Sequence, residues 1–196
     1  MSDLVFKQEE NKEVFKELPS WKVLIVDDEK EVHNMTKLVL KGFTFENRPL
    51  KLLHAYSGEQ AKQIIVQNPD IALILLDVVM EDDDTGLKLV KFVREKQNNK
   101  FVRIVLRTGQ PGQAPESKVI LDYNINDYKL KTDLVIEKLH TTIISSLRTY
   151  RDLVKIYEEK EVLKKGKTGR LHSITIKTSG KGKPEKKSVI KIDDEN

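Results

Sequence analysis

Four short apolar runs in this chain close on polar residues whose types suit one another. KVLIVDDE carries Asp27 and Asp28, IALILLD ends in Asp77, RIVLRTG carries Thr108, and NDYKLKT carries Lys131. Taken singly, each has an ordinary explanation: Asp28 caps the next helix, Asp77 sits in a turn, and Lys131 is solvated. Gathered at one edge, they could do chemistry. Three neighbouring carboxylates repel one another unless a cation neutralises them. Magnesium suits the task, because it takes oxygen ligands, keeps part of its water and binds through one or two carboxylates plus phosphate oxygen. Asp77 then retains an oxygen with which to attack phosphorus. Thr108 can donate a hydrogen bond to a transferred phosphoryl group, and Lys131 can neutralise another of its oxygens.

The elements that must position these residues follow from periodicity. From Lys22 onward short apolar runs alternate with longer amphipathic stretches, the pattern of strand, helix, strand units that feed a parallel sheet. Strands are predicted at 22–26, 51–55, 71–76, 102–106 and 126–130. The first and third are almost wholly apolar, as strands covered on both faces must be. Helices are predicted at 29–40, 59–67, 85–95 and 114–122, with a fifth beginning near Thr132. Right-handed crossovers then give an α/β fold, a doubly wound five-stranded parallel sheet, whose ligand site lies beyond the carboxyl ends of the strands. Asp27, Asp28, Asp77, Thr108 and Lys131 all stand there.

With 196 residues, 38% hydrophobic and 34% charged, the chain can build one well-buried domain with polar attachments. Residues 1–20 lack a sustained apolar period and read as a flexible arm, 21–148 as the domain, 149–165 as a helical extension, and 166–196 as a basic, largely disordered tail. LHSITIK and SVIKI in the tail can pair as a hairpin, although an isolated hairpin is marginal. The net charge of +4 originates in this tail, where 8 basic residues stand against 4 acidic ones, so it argues only weakly for a nucleic-acid face on the folded part. Without Cys there are no disulfides and no thiolate metal sites. No apolar run nears the ~18 residues of a membrane span, and MSDLVFKQEENKEVF is too acidic for a signal peptide, so a cytoplasmic protein is expected.

From Lys22 through the fifth helix the sequence resembles the response-regulator receiver family. The likeness is carried by Asp27 and Asp28 after the first strand, Asp77 after the third, Thr108 after the fourth, and Tyr128 with Lys131 around the fifth. It implies a flavodoxin-like sheet of order 2-1-3-4-5 with an extended C-terminal helix. It further implies phosphorylation of Asp77 by a sensor histidine kinase or phosphotransfer protein. Asp28, Asp77 and the backbone carbonyl of Val79 would bind Mg2+ directly, with Asp27 acting through water. Thr108 would be the switch hydroxyl and Tyr128 the aromatic ring that moves inward. Such a protein signals to a downstream partner by changing shape and has no enzymatic output of its own.

A closer resemblance, in LLDVVMEDDDTGLKLV, VRIVLRTGQPGQAPE and INDYKLKT, is to receiver modules that precede cyclic-di-GMP phosphodiesterase domains of the HD-GYP type. The phosphodiesterase signature itself is missing, since His33, His54, His140 and His172 are scattered and none stands beside an Asp. The sequence also departs from the commoner receiver pattern. Glu81 replaces a Pro after the Met, Gly86 comes one residue late, and Thr132 replaces the Pro after the Lys.

Other chemistries fit less well. A haloacid-dehalogenase-type phosphatase needs a second acid two residues past its Asp, where this chain has Val79. The GKT at 166–168 lacks the earlier Gly of a phosphate loop, whose place is taken by Glu161. A DNA-binding regulator using the basic tail is the main alternative, but 166–196 offers too few apolar residues for a helix-turn-helix. Neither nucleic acid nor membrane is therefore expected as a partner. From Asp133 to Lys165 no Pro or Gly interrupts about 33 residues of potential helix. Ile136, Leu139, Ile143, Ser146, Tyr150, Leu153 and Tyr157 recur at steps of three and four, the seam spacing of a homodimeric coiled coil. Alternatively, Ile136, Leu139, Ile143 and Leu147 only cover the sheet.

Overall fold

The computed structural model describes residues 19–82, 84–109, 124–130 and 136–167, apart from the side chains at 108, 130, 136, 166 and 167. Six strands and four α-helices are found among them: β1 (Trp21–Val26), α1 (Lys30–Val39), β2 (Thr44–Phe45), β3 (Arg48–Ala55), α2 (Gly58–Gln67), β4 (Ile71–Asp77), α3 (Thr85–Lys91), β5 (Arg103–Thr108), β6 (Asp127–Leu130) and α4 (Ile136–Lys167). The predicted helix at 114–122 and the tail hairpin lie outside the described residues. The chain divides into two units, Met1–Glu159 and Lys160–Asn196.

The strands form one sheet of order β2-β3-β1-β4-β5-β6. Without β2 this is the expected five-stranded parallel order. The added strand is a short antiparallel edge, Thr44 beside Pro49 and Phe45 beside Arg48. Its turn is Glu46-Asn47, with φ of 51° and 58°, the paired left-handed geometry of a tight hairpin. β3 therefore starts at Arg48 rather than Lys51. Pro49 masks that start in the sequence, because Pro is tolerated only at a sheet edge or strand beginning.

Alternation along the strands sends side chains to both faces, where helices cover them. Leu24, Val26, Ile74, Leu76, Ile104 and Leu106 pack with Ala61 and Ile65 of α2 and Leu89 and Val90 of α3. On the opposite face Val23, Ile25, Leu73, Leu75 and Val105 pack with Leu139, Ile143 and Leu147 of α4. The latter three thus cover the sheet. Tyr150 sets its ring edge-on to Trp21 at 6.4 Å, and Tyr157 meets Phe101 at 5.1 Å. Much of the proposed coiled-coil seam is therefore already used inside the fold.

Local chemistry fixes the helix starts. Ser57 accepts the N–H of Gln60 at 3.1 Å and caps α2. α3 begins close against the end of β4, where the Gly86 N–H donates to the Val78 carbonyl at 3.0 Å. A Cβ at Gly86 would lie 2.2 Å from the Asp77 carbonyl oxygen, so no larger residue fits this approach. The helix after Lys91 widens into a π turn, Phe92–Lys96, closed by the Gln97 N–H on the Phe92 carbonyl at 3.0 Å.

Candidate functional site

β1, β4 and β5 run to a common edge in parallel register, with Val26 beside Leu76 and Asp77 beside Arg107. The residues next in line are forced together. A carboxylate oxygen from each of Asp27, Asp28, Glu29 and Asp77 lies within 4.8 Å of the others. Asp27 and Asp77 are buried, at 0% and 3% exposure, whereas Asp28 and Glu29 face solvent. Sequence spacing does not single out Glu29, which reads as the first residue of a helix. In the structure α1 starts one residue later, and the Glu29 N–H turns back to donate to Asp27 Oδ1 at 3.1 Å.

The backbone of Asp27 is held from two sides. Its N–H donates to the Ala55 carbonyl at 3.2 Å, and its carbonyl is 2.8 Å from His33 Nε2. A carbonyl can only accept, so Nε2 carries the proton. In the neutral His33 ring Nδ1 is then the acceptor for His54 Nδ1–H, 2.8 Å away. Burial pushes the His54 imidazole below its usual pKa, and His33 and Lys37 push it the same way. The third described histidine, His140, donates through Nε2 to the Val39 carbonyl at 3.1 Å.

Arg107 is a second residue that sequence patterning missed, because a cation inside RIVLRTG reads as a strand-edge charge. It is only 2% exposed. Nη1 donates to Thr36 Oγ1 at 3.3 Å, and Nη2 lies 3.6 Å from Asp27 Oδ2. Burial lowers the pKa of the guanidinium, while the charges of Asp27 and Asp77 raise it.

The acidic loop after Met80 has structural tasks. Glu81 Oε1 accepts the N–H of Gly58 at 2.9 Å, placing a carboxylate at the N-terminus of α2, where the helix dipole favours it. This accounts for an acid where receivers commonly have Pro. Lys88 reaches Asp84 at 2.7 Å and Asp82 at 3.4 Å, and the hydrogen bond to Asp84 raises its pKa.

Of the other predicted site residues, Val79 lies two residues past β4 and is exposed. Thr108 ends β5, and the half-buried Tyr128 lies on β6 against the α2–α3 side of the core. Lys131 and Thr132 lie outside the described residues.

A family model described as "Response regulator receiver domain" matches residues 23–144. The chain belongs to this family. The receiver is 52% identical over 140 residues to the 3'3'-cGAMP-specific phosphodiesterase 2 of Vibrio cholerae, a match covering 71% of this chain and 27% of that protein. The chain thus spans about a quarter of this curated relative. The signal receiver domain of an HD domain-containing protein from Pseudomonas fluorescens superposes with a TM-score of 0.58 at 19% identity, covering 68% of this chain and 98% of that one. The N-terminal domain of a response regulator/sensory box/GGDEF protein from Carboxydothermus hydrogenoformans gives 0.56 at 22%, with the same coverage. At these identities the two structures establish the receiver fold. None of the helices among the described residues is long and apolar enough to cross a membrane.

Proposed function

We propose that this receiver accepts a phosphoryl group on Asp77 from a sensor histidine kinase or phosphotransfer protein, and relays it as a change of shape to a downstream protein. The observation that carries this reading is the pair of buried acids, Asp27 and Asp77, in a four-carboxylate cluster at the carboxyl ends of β1 and β4. Burying like charges together is costly unless a cation joins them. The donor set fits Mg2+: all oxygen, with Asp28 and Glu29 at a solvent-facing rim where the ion can keep water. Asp28, Asp77 and the Val79 carbonyl are the direct ligands in this reading, with Asp27 acting through water. When bound, Mg2+ neutralises the cluster and the incoming phosphoryl oxygens.

One Asp77 oxygen forms the new bond to phosphorus as the bond to the donor's imidazole nitrogen breaks. Asp77 then carries an acyl phosphate, and the donor leaves with its electron pair. Lys131 compensates the added charge. Thr108 donates to a phosphoryl oxygen, drawing the ends of β5 and β6 inward with Tyr128. The receiver occupies 21–148, between an arm at 1–20 and the extension at 149–165. It has no output chemistry beyond its own phosphorylation and slow dephosphorylation. The phosphodiesterase activity named for the Vibrio cholerae relative would reside in the part of that protein beyond the match. The DNA-binding alternative rests on 166–196, nearly all outside the described residues.

Incubation with acetyl phosphate and Mg2+ should add one phosphoryl group to the protein, read by mass spectrometry of the intact chain. Borohydride should then reduce the acyl phosphate at Asp77 to homoserine with release of phosphate. Labelling should vanish with a chelator and in Asp77→Ala. Unchanged labelling of Asp77→Ala would remove the assignment.

A further inference from the structure

Arg107 sits where burial makes a charge expensive, and its contacts only partly account for it. Asp77 is its register partner, so strand pairing delivers the guanidinium to the carboxylate cluster. Thr36 Oγ1 gives its own proton to the Val32 carbonyl at 2.7 Å, which leaves its oxygen to accept from Arg107 Nη1. The 3.6 Å between Nη2 and Asp27 Oδ2 exceeds the ~2.7–2.9 Å of a charge-assisted hydrogen bond. Nε and Nη2 have no hydrogen-bond acceptor among the described residues. The guanidinium therefore meets the cluster through charge rather than through a paired fork. An arginine stays protonated under any ordinary condition, so this charge is permanent.

We propose that Arg107 is the built-in counter-ion of the carboxylate cluster, a positioning residue that compensates Asp27 when no divalent ion is bound and weakens the cluster's hold on Mg2+. The assignment rests on the cluster being the cation site proposed above. A fixed positive charge beside a cation site opposes the arriving ion, and it does so strongly where little water intervenes. It also keeps the buried acids tolerable without the ion, so the cation-free receiver stays folded at the site. An arginine that merely filled the space between α1 and β5 would do neither. Replacing it by an uncharged residue of similar length would then leave cation affinity unchanged.

The two roles separate by calorimetric titration of Mg2+ into the full chain, with no phosphoryl donor present. Arg107→Met should bind Mg2+ at least about tenfold more tightly than the unsubstituted protein, because it loses a repelling charge beside the site. Arg107→Gln keeps a donor for Thr36 and should move the same way, which covers the case in which the Met variant does not fold. Arg107→Lys, which restores the charge, should return the affinity most of the way. Thermal unfolding provides an independent reading: the midpoint of the uncharged variants should rise more steeply with added Mg2+. Unchanged affinity in a folded Met or Gln variant would overturn the role, as would a Lys variant as tight as Met. If no protein, the unsubstituted one included, takes up Mg2+, the cation site and the counter-ion role fall together.

Discussion

Val79 offers only hydrocarbon two residues beyond Asp77, at 45% exposure. Hydrolysis of an acyl phosphate needs a water held in line, and a side chain at this point is placed to hold it. Val79 can neither donate nor accept, so a phosphorylated Asp77 should be long-lived. Val79→Asn should speed decay of the phosphorylated state by about tenfold, equivalent to roughly 1.4 kcal/mol of barrier, measured by loss of labelled phosphate with time. An unaltered decay rate would assign water positioning elsewhere, Gln110 being the nearest sequence candidate. The single residues also show how unequal the sequence signal is. Asp27, Asp28 and Asp77 announce themselves because acids abruptly end apolar runs. Glu29 and Arg107 do not, because one resembles a helix residue and the other a strand-edge cation until the packing is known.

At the level of elements, the position of α3 depends on Gly86. Alanine is the better helix former by about 1 kcal/mol, which alone predicts that Gly86→Ala stabilises the protein. Sterics oppose this, since the added Cβ would stand 2.2 Å from the Asp77 carbonyl oxygen and 2.8 Å from the Val78 Cα, both backbone atoms with little freedom to yield. The clash should prevail. Gly86→Ala should lower stability by about 2 kcal/mol, as overpacking commonly does, measured by urea unfolding. A variant as stable as the unsubstituted chain would show that α3 can shift away from β4. The acidic loop before α3 reveals its purpose only at this level, through Glu81 at the start of α2 and Lys88 beside Asp82 and Asp84.

For the molecule as a whole, the question is what α4 does once the sheet is covered. This helix has 32 residues, a length of about 48 Å. The first part of the predicted seam is spent: Leu139 and Ile143 are buried in the core and Tyr150 meets Trp21, whereas Tyr157 touches Phe101 and remains exposed. Arg151 pairs with Glu46 of the hairpin turn, so the packed part of the helix runs past Arg148, and the first compact unit ends at Glu159. What stays exposed on the helix within that unit is Ile156, together with Tyr157 despite its contact with Phe101. Apolar side chains held in water along a helix favour a second copy. We expect a weak dimer that tightens with a beryllofluoride phosphoryl mimic and is lost in Ile156→Glu, as read by sedimentation. A monomer under every condition would make the extension a linker only.

The sequence by itself determined the class of fold, the strand-end acids and the long final helix. These depend on periodicity and on abrupt changes of residue type, which are local and survive without coordinates. The hairpin edge was hidden because a two-residue strand has no period to detect, and Pro49 argues against a strand there. Likewise, sequence could not say which face of α4 is buried, since seam spacing and sheet-covering spacing share the same steps of three and four. Only tertiary structure chose between them, by setting Leu139, Ile143 and Leu147 against the sheet and bringing Trp21 from a distant part of the chain against Tyr150. The counter-charge of the acidic cluster was decided the same way. Arg107 lies far from Asp27 along the chain, and strand register alone, with Arg107 beside Asp77, places a guanidinium among buried carboxylates.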